Sequence, residues 1–236
     1  MTWLGHGTVL IELGGVRLLT DPLLRERVAH LRRQRARPVV PAGLDAVLIS
    51  HAHRDHLDLP SLRLLDAAVP IVAAPGSARL LRRRTRRPVR AVSPGEAVEV
   101  AGVSVRATPA VHDGRRMPVG APMPAVGFLA GGVYFAGDTE LYPGMAELAA
   151  DVALLPIAGW GARLGPGHMD PRQAAEALAL LKPRTGIPIH WGTYRPLGAR
   201  PHTADPVRAF IAHAAELAPS AQVAVLEPGE TLEIEC

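Results

Sequence analysis

Four side chains able to hold a transition metal, His51, His53, Asp55 and His56, fall within six positions of Ser50-His51-Ala52-His53-Arg54-Asp55-His56-Leu57-Asp58. Imidazole suits zinc, and a carboxylate suits zinc, manganese or iron. The apolar run Asp45–Ser50 just before them reads as a buried strand, so the ligand types sit on a loop held by a rigid scaffold. Residues two apart in an extended chain point to the same side, which aims His51 and His53 at one ion. The turn towards the next helix lets Asp55 and His56 point at a second position nearby. A two-metal hydrolytic site needs more ligands than one loop supplies, and a bridging group. Three later residues qualify. His112 ends the run Val103–Val111, Asp138 follows the strand Val133–Ala136, and His190 follows the strand Gly186–Ile189. Each is a ligand type directly after a hydrophobic strand, where open sheets place functional groups.

The surrounding pattern supplies the strands and helices that must position them. Trp3–Leu4 and Val9–Leu13 read as a strand pair around Gly5–Thr8, Gly14-Gly15 as a hairpin turn, and Val16–Thr20 as the next strand. Arg25 to Pro41 is polar, basic and proline-flanked, and reads as a loop or short helix. Asp58 is placed to cap a helix from about Pro60. Pro70–Ala74 is a further strand, and Ser77 is placed to cap a short helix through Thr85 that Pro88 stops. Val89–Val92, Ala97–Val100 and Val103–Ala107 read as a meander. Ala125–Ala130 and Val133–Ala136 read as a hairpin over Gly131-Gly132. The rest alternates: a helix near Gly144–Ala150, strand Val152–Pro156, helix Pro171–Leu181, strand Gly186–Ile189, helix Asp205–Leu217, then strands Gln222–Leu226 and Thr231–Ile234. This mixture predicts helices packed outside sheets, a layered α/β (α+β) architecture.

Composition narrows the function classes. The 236 residues suit one domain over positions 1–236, and 48% hydrophobic with 20% charged is globular rather than disordered composition. No apolar run is long enough for a transmembrane helix. Met1 to Leu13 reads straight into a strand with no basic leader, which predicts a cytoplasmic protein. Cys236 is the single cysteine, which excludes a disulfide framework and a cysteine-rich zinc site. The 26 basic against 22 acidic residues leave a net charge of +4, carried by arginine apart from Lys182. A genome's compositional bias produces such a balance; so does an anionic substrate or surface.

The string His51-Ala52-His53-Arg54-Asp55-His56, followed by His112, Gly137-Asp138-Thr139 and His190, resembles the metal motifs of the metallo-β-lactamase-fold hydrolases, in order and in relative spacing. Asp21, in Leu18-Leu19-Thr20-Asp21-Pro22, fits the early-strand Asp of that pattern. The resemblance spans Thr2 to about Ile234. It implies a four-layer αββα sandwich, the metallo-β-lactamase fold, with the site at one edge of the two sheets. It further implies two divalent metal ions, with zinc the first expectation and manganese or iron able to occupy the same ligands. His51, His53 and His112 would hold one, Asp55, His56 and His190 the other, Asp138 would bridge, and Asp21 would orient the ligand loop. Gly5-His6-Gly7-Thr8 and Gly167-His168-Met169-Asp170-Pro171 are similar to motifs of the branch that contains ascorbate-6-phosphate lactonase and N-acyl-phosphatidylethanolamine phospholipase D. Where the flavodiiron branch has Glu, this string has its second His. The chain is too short for the extra domain of the larger nucleic-acid-cleaving members.

The chemistry so implied is hydrolysis of an ester, lactone or phosphodiester by a metal-bridging hydroxide. Asp55 would double as ligand and proton acceptor, and His168 would donate to the leaving group or hold an oxyanion. The plainer reading of His168 is a backbone cap before a helix; that of His6 is a turn residue beside two glycines. His30, His202 and His213 are assigned to surface or helix packing. Arg82-Arg83-Arg84 with Arg86-Arg87 reads as a solvated helix face, or alternatively as a contact for a phosphate backbone. Arg54, Arg115 and Arg116 lie in or after ligand segments and are placed to meet an anionic substrate. Trp160, Trp191 and Tyr194 either line a pocket or cover the core. Three functions compete: a hydrolase of small, anionic substrates; a metallonuclease of the same fold, for which few aromatics provide stacking; and an idle metal-binding protein, against which a complete ligand set with an open position argues.

Overall fold

A computed structural model describes residues 1–116, 121–158, 164–199 and 205–233. Strands β1 (Thr2–Gly5), β2 (Thr8–Leu13) and β3 (Val16–Thr20) form an antiparallel meander. Gly14 and Gly15, at φ of 55° and 90°, make its tight second turn, in backbone that a side chain would strain. Two short strands follow, β4 (Arg27–Val28) and β5 (Leu31–Arg33). Next come β6 (Ala46–Ile49), α1 (Leu59–Leu62), β7 (Ile71–Ala73), α2 (Pro75–Arg82) and β8 (Val89–Ala91). Strands β9 (Ala97–Val100), β10 (Val103–Asp113), β11 (Pro124–Ala130) and β12 (Val133–Phe135) form a second antiparallel run. After a 3-10 turn at Pro143–Glu147 come β13 (Val152–Pro156), α3 (Pro171–Leu181), β14 (Thr185–Ile189), β15 (Tyr194–Pro196), α4 (Pro206–Leu217) and β16 (Gln222–Val223).

These strands form a six-stranded sheet, β1-β2-β3-β6-β7-β8, and a seven-stranded sheet, β16-β14-β13-β12-β11-β10-β9. Alternation along each strand divides its side chains between two faces. Leu18 and Leu48 of the first sheet meet Phe128 and Leu154 of the second in the inter-sheet core. Their neighbours Leu19 and Val47 face outward onto Leu62, Leu65, Ala78 and Leu81 around α1 and α2. Leu155 and Tyr134 likewise face Leu178, Phe210 and Ala214 of α3 and α4. The result is helix, sheet, sheet, helix: the four-layer αββα sandwich.

The helix starts follow capping chemistry. The Asp170 carboxylate accepts from the Gln173 N–H while the Gln173 side chain accepts from the Asp170 N–H, and Pro171 opens the first turn of α3. The Asp58 carboxylate accepts from the Ser61 N–H and also takes Arg25 through two bonds of 2.7 Å each. Ser77, by contrast, is not a cap: Pro75 starts α2 two residues earlier and Ala74 is its N-cap, with no side-chain bond.

Some elements depart from the sequence reading because they are made by non-local pairing. Arg25 to Pro41 contains β4 and β5, which join β15 in a three-stranded sheet, order β15-β5-β4. The buried Arg33 guanidinium is satisfied there by the carbonyls of Leu4 and Ala36, at 2.5 and 2.9 Å. Val89–Ala91 does not join the meander; it runs parallel to β7 in the first sheet, because α2 returns the chain as a crossover. The 144–150 region forms a 3-10 turn over Pro143–Glu147 rather than an α-helix. At Thr231 the chain makes an isolated bridge to Thr2. No described helix is long and apolar enough to cross a membrane.

Candidate metal centre

The two sheets are stitched together at one edge by backbone bonds. The Val126 N–H donates to the Ser50 carbonyl at 3.0 Å, Ala52 to Gly114 at 3.0 Å, and His190 to His6 at 3.1 Å. Ligand-type residues from both sheets therefore meet at the C-terminal ends of β6, β12 and β14. His51 and His53 leave β6 in extended chain; bonds from the His56 and Leu57 N–H groups back to the His53 carbonyl, at 3.2 and 2.8 Å, then turn the loop. Gly114 permits the close approach: a Cβ there would sit 2.4 Å from His51 Cβ.

His51, His53, His112 and Asp138 offer donor atoms all within 4.8 Å of one another, as do His6, Asp55, His56 and His190. Asp138 lies between the two groups. Its Oδ2 is 3.2 Å from His56 Nε2 and 3.8 Å from His51 Nε2, and its Oδ1 is 3.4 Å from His190 Nε2. Asp55 Oδ2 is 3.5 Å from His56 Nε2 and 4.0 Å from His190 Nε2.

The outer partners determine which imidazole nitrogens face inward bare. His112 Nδ1 donates to the Gly167 carbonyl and His190 Nδ1 to the Ala158 carbonyl, both at 2.8 Å. His56 Nδ1 donates to Asp21 Oδ2 at 2.8 Å. The Ser50 hydroxyl gives its hydrogen to Asp21, so its oxygen accepts from His51 Nδ1 at 2.9 Å. A neutral imidazole carries one N–H, so the His51, His112 and His190 rings present a bare Nε2 to the centre, and His56 would do so once a cation replaced the proton that its carboxylate neighbours favour. His53 Nδ1 lies 3.1 Å from both His51 Nε2 and His112 Nε2. One proton on His53 would serve a single neighbour; a cation at the centre serves all three. Two nitrogens on a tetrahedral zinc are about 3.3 Å apart, given metal–nitrogen distances of about 2.0–2.1 Å. Asp138 Oδ1 is buried without a hydrogen bond. Donor chemistry, spacing and this orphaned oxygen all fit divalent metal.

The β-lactamase superfamily domain profile matches residues 16–191, which contain every one of these residues except His6. The chain belongs to the β-lactamase superfamily. It is 32% identical to a UPF0173 metal-dependent hydrolase of Methanopyrus kandleri over 99% of both chains, and 34% identical to one of Opitutus terrae over 99% of both. Igni18, a metallo hydrolase of Ignicoccus hospitalis, superposes with a TM-score of 0.75 at 29% identity, covering 100% of this chain and 97% of that one. An isothiocyanate hydrolase from Delia radicum gut bacteria shares the fold, with a TM-score of 0.73 at 18% identity over 99% of this chain and 98% of that one. This β-lactamase-superfamily chain is a metal-dependent hydrolase with the metallo-β-lactamase fold.

Within this superfamily site, burial and charge set the protonation pattern. Burial depresses His51, His53 and His190, and lowers His112 to about 4, so these rings are neutral at pH 7. Burial also acts to lower His56, but Asp138 and Asp55 outweigh it and hold His56 well above its usual value. Asp138 is held well below the carboxylate range: burial opposes ionisation, while His190 and His56 override it. His6, Asp21 and His190 all adopt positive φ, at 55°, 33° and 63°, and such strain gathers at functional sites.

His6 is drawn in more closely than its turn position suggested: its Nε2 is 3.0 Å from Asp55 Oδ2, and it shares a group of donor atoms with Asp55, His56 and His190. His168 Nε2 lies 3.3 Å from Asp138 Oδ2, while its Nδ1 faces the Gly165 carbonyl at 3.2 Å. Asp21 is fully buried and accepts from the Ser50 N–H at 2.8 Å, the Ser50 hydroxyl and His56. Sequence reasoning did not single out Gly114, the Ser50 hydroxyl or Glu140. Glu140 Oε1 accepts from the Gly167 N–H at 2.6 Å and so holds the loop carrying His168. The one signal for Ser50 was its place before the motif; Gly114 and Glu140 had none, because their partners are distant in the chain. The aromatics resolve towards structure. Trp191 stacks on Trp3 with ring centroids 5.2 Å apart, and the Tyr194 hydroxyl donates to the Arg25 carbonyl. Trp160 and His202 lie outside the described residues.

Proposed function

We propose that residues 1–236 form one hydrolase domain that binds two divalent ions, zinc first, and cleaves an ester, lactone or phosphodiester of a small anionic substrate in the cytoplasm. His51, His53 and His112 would hold one ion, and Asp55, His56 and His190 the other, with Asp138 shared. The observation that carries this reading is the orphaned Asp138 carboxylate oxygen between two sets of inward-facing nitrogens. Bound ions would lower the pKa of water to about 7 and polarise the scissile group. The chain's own residues do the rest. Asp55, with His6 on its Oδ2 at 3.0 Å, is ionised, because the His56 and His6 imidazoles outweigh the opposing effect of burial. A carboxylate held this far down is suited to hold a cation and is only a weak proton acceptor. Burial acts to lower His168, yet Asp138 raises it above the ordinary imidazole value, which keeps a proton on Nε2 for a leaving group.

A small substrate is favoured over nucleic acid by what the arginine run does. Arg87 donates to the carbonyls of Leu62 and Leu65 at 2.6 and 2.7 Å, and Arg82 to that of Val89 at 3.1 Å. These side chains brace the fold, so the run is no continuous phosphate track.

The test is chelation followed by reconstitution with zinc, manganese or iron, then a screen of esters, lactones and phosphodiesters. Activity is expected to vanish on metal loss and return with about two ions per chain; turnover that survives complete metal removal eliminates the reading. His168→Gln is expected to lower kcat by about 10²-fold with metal content unchanged. An unaltered kcat would return His168 to a loop-capping role.

A further inference from the structure

Beside the ligand loop lies a cavity of about 610 Å³ whose wall carries Arg54, Arg79, Arg83, Arg84, Arg115 and Arg116. It falls within the roughly 300–1,000 Å³ of small-molecule sites. Three separate segments supply these cations: the metal-loop turn, the last turn and cap of α2, and the chain after β10. Arg115 pairs with Asp113 at 2.5 Å, and Arg116 donates to the Ala52 and Leu57 carbonyls at 3.1 and 2.8 Å, which ties it across the ligand loop. Among the described residues, no carboxylate pairs with Arg54, Arg79, Arg83 or Arg84. Burial, and then repulsion from Arg54 and Arg84, hold the Arg116 guanidinium below its usual value, with Asp58 opposing. Positive charge is therefore concentrated here, with Arg115 neutralised by Asp113 and Arg54, Arg79, Arg83 and Arg84 left without a carboxylate partner among the described residues. Such an arrangement loses stability through self-repulsion unless an anion enters. The rest of the lining is apolar: Leu59, Leu80, Pro122 and Met123.

We propose that this cavity is an anion site for a phosphorylated small molecule with an apolar body, its phosphoryl group held by the Arg83 and Arg84 forks and its body against Leu59, Leu80 and Met123. Guanidinium forks match phosphoryl oxygens bidentately, which a point cation does not. The apolar wall selects against inorganic phosphate alone. The site does not depend on the metal assignment, since none of its lining residues is a proposed ligand.

The test uses the metal-loaded chain and a non-hydrolysable probe, naphthylmethylphosphonate, against its neutral counterpart naphthylmethanol, by calorimetry. Arg83→Gln/Arg84→Gln is the main variant; both residues are exposed on the surface rim, and unchanged melting temperature and metal content establish that its fold is intact. The phosphonate is expected to bind more tightly than the alcohol, and its Kd to rise about tenfold or more in the double variant and with added salt. Equal binding of the two probes, or an unchanged Kd in the variant, overturns the proposal; the second result would place the phosphonate on the metals. Arg54→Gln and Arg79→Gln extend the test to the remaining arginines without a carboxylate partner, where smaller increases in Kd are expected. If a phosphorylated ester then shows a raised KM in the double variant, the bound molecule is substrate. If KM is unmoved while phosphonate binding is lost, it is an effector of the same chemistry.

Discussion

Asp138→Asn is expected to reduce turnover by about 10³-fold or more, on the order of 4 kcal/mol of transition-state stabilisation, and to lower the metal bound per chain, to one ion or fewer if the proposed pair is present in the parent chain. The reason lies in where this carboxylate sits. It follows β12 of the second sheet, yet its two oxygens face His51, His56, His168 and His190 at 3.2–3.8 Å. An amide keeps the shape but removes the charge, and its NH₂ would turn a donor towards a centre where cations are to bind. Elemental analysis with steady-state kinetics provides the check. Full metal occupancy and unaltered turnover in Asp138→Asn would remove Asp138 from the centre. His112→Ala should be milder in folding but comparable in activity, since its ring is only part-buried.

The second large effect is at Asp21. Its side chain is fully buried and accepts from the Ser50 N–H, the Ser50 hydroxyl and His56 Nδ1. Truncation to Ala strands all of these donors in the interior, together with a His56 that Asp138 and Asp55 keep disposed to carry charge. Breaking a buried charged pair of this kind costs about 3–5 kcal/mol. A second consequence is chemical. Asp21 fixes the His56 tautomer directly and that of His51 through the Ser50 hydroxyl, so both rings lose their orientation. Metal affinity is expected to fall by roughly 10–100-fold. Denaturant unfolding and metal titration of Asp21→Ala measure the two effects separately. A variant with wild-type stability and metal affinity would show that Asp21 does neither job. Asp21→Asn retains an acceptor for Ser50 and should recover part of the stability.

Much of the centre is legible in the chain because it is locally encoded. His51, His53, Asp55 and His56 are neighbours, and extended geometry followed by one turn is enough to aim them together. The β12 and β14 strand ends announce Asp138 and His190, since a polar ligand type after a hydrophobic run has few places to go but the sheet edge. The helix starts at Asp170 and Asp205 follow from capping and Pro at the first position.

Other features needed partners brought from far along the chain. Arg25 to Pro41 shows no periodicity of its own; β5 exists because Tyr194–Pro196 pairs with it. His6 meets Asp55 only because the first loop folds over the metal loop, 49 residues away. The run from Arg82 to Arg87 looks uniform in composition, yet Arg82 and Arg87 turn onto backbone carbonyls while Arg83 and Arg84 line the cavity. The amino-acid order alone thus determined the ligand types, their local aim and the alternation that builds four layers, because strand and turn geometry act over a few residues. Tertiary structure decided which imidazole nitrogens stand bare, which arginines remain unpaired and where Gly114 must yield space to His51. Those outcomes depend on strand register and on the packing of one sheet against the other, which the pattern along a single chain does not encode.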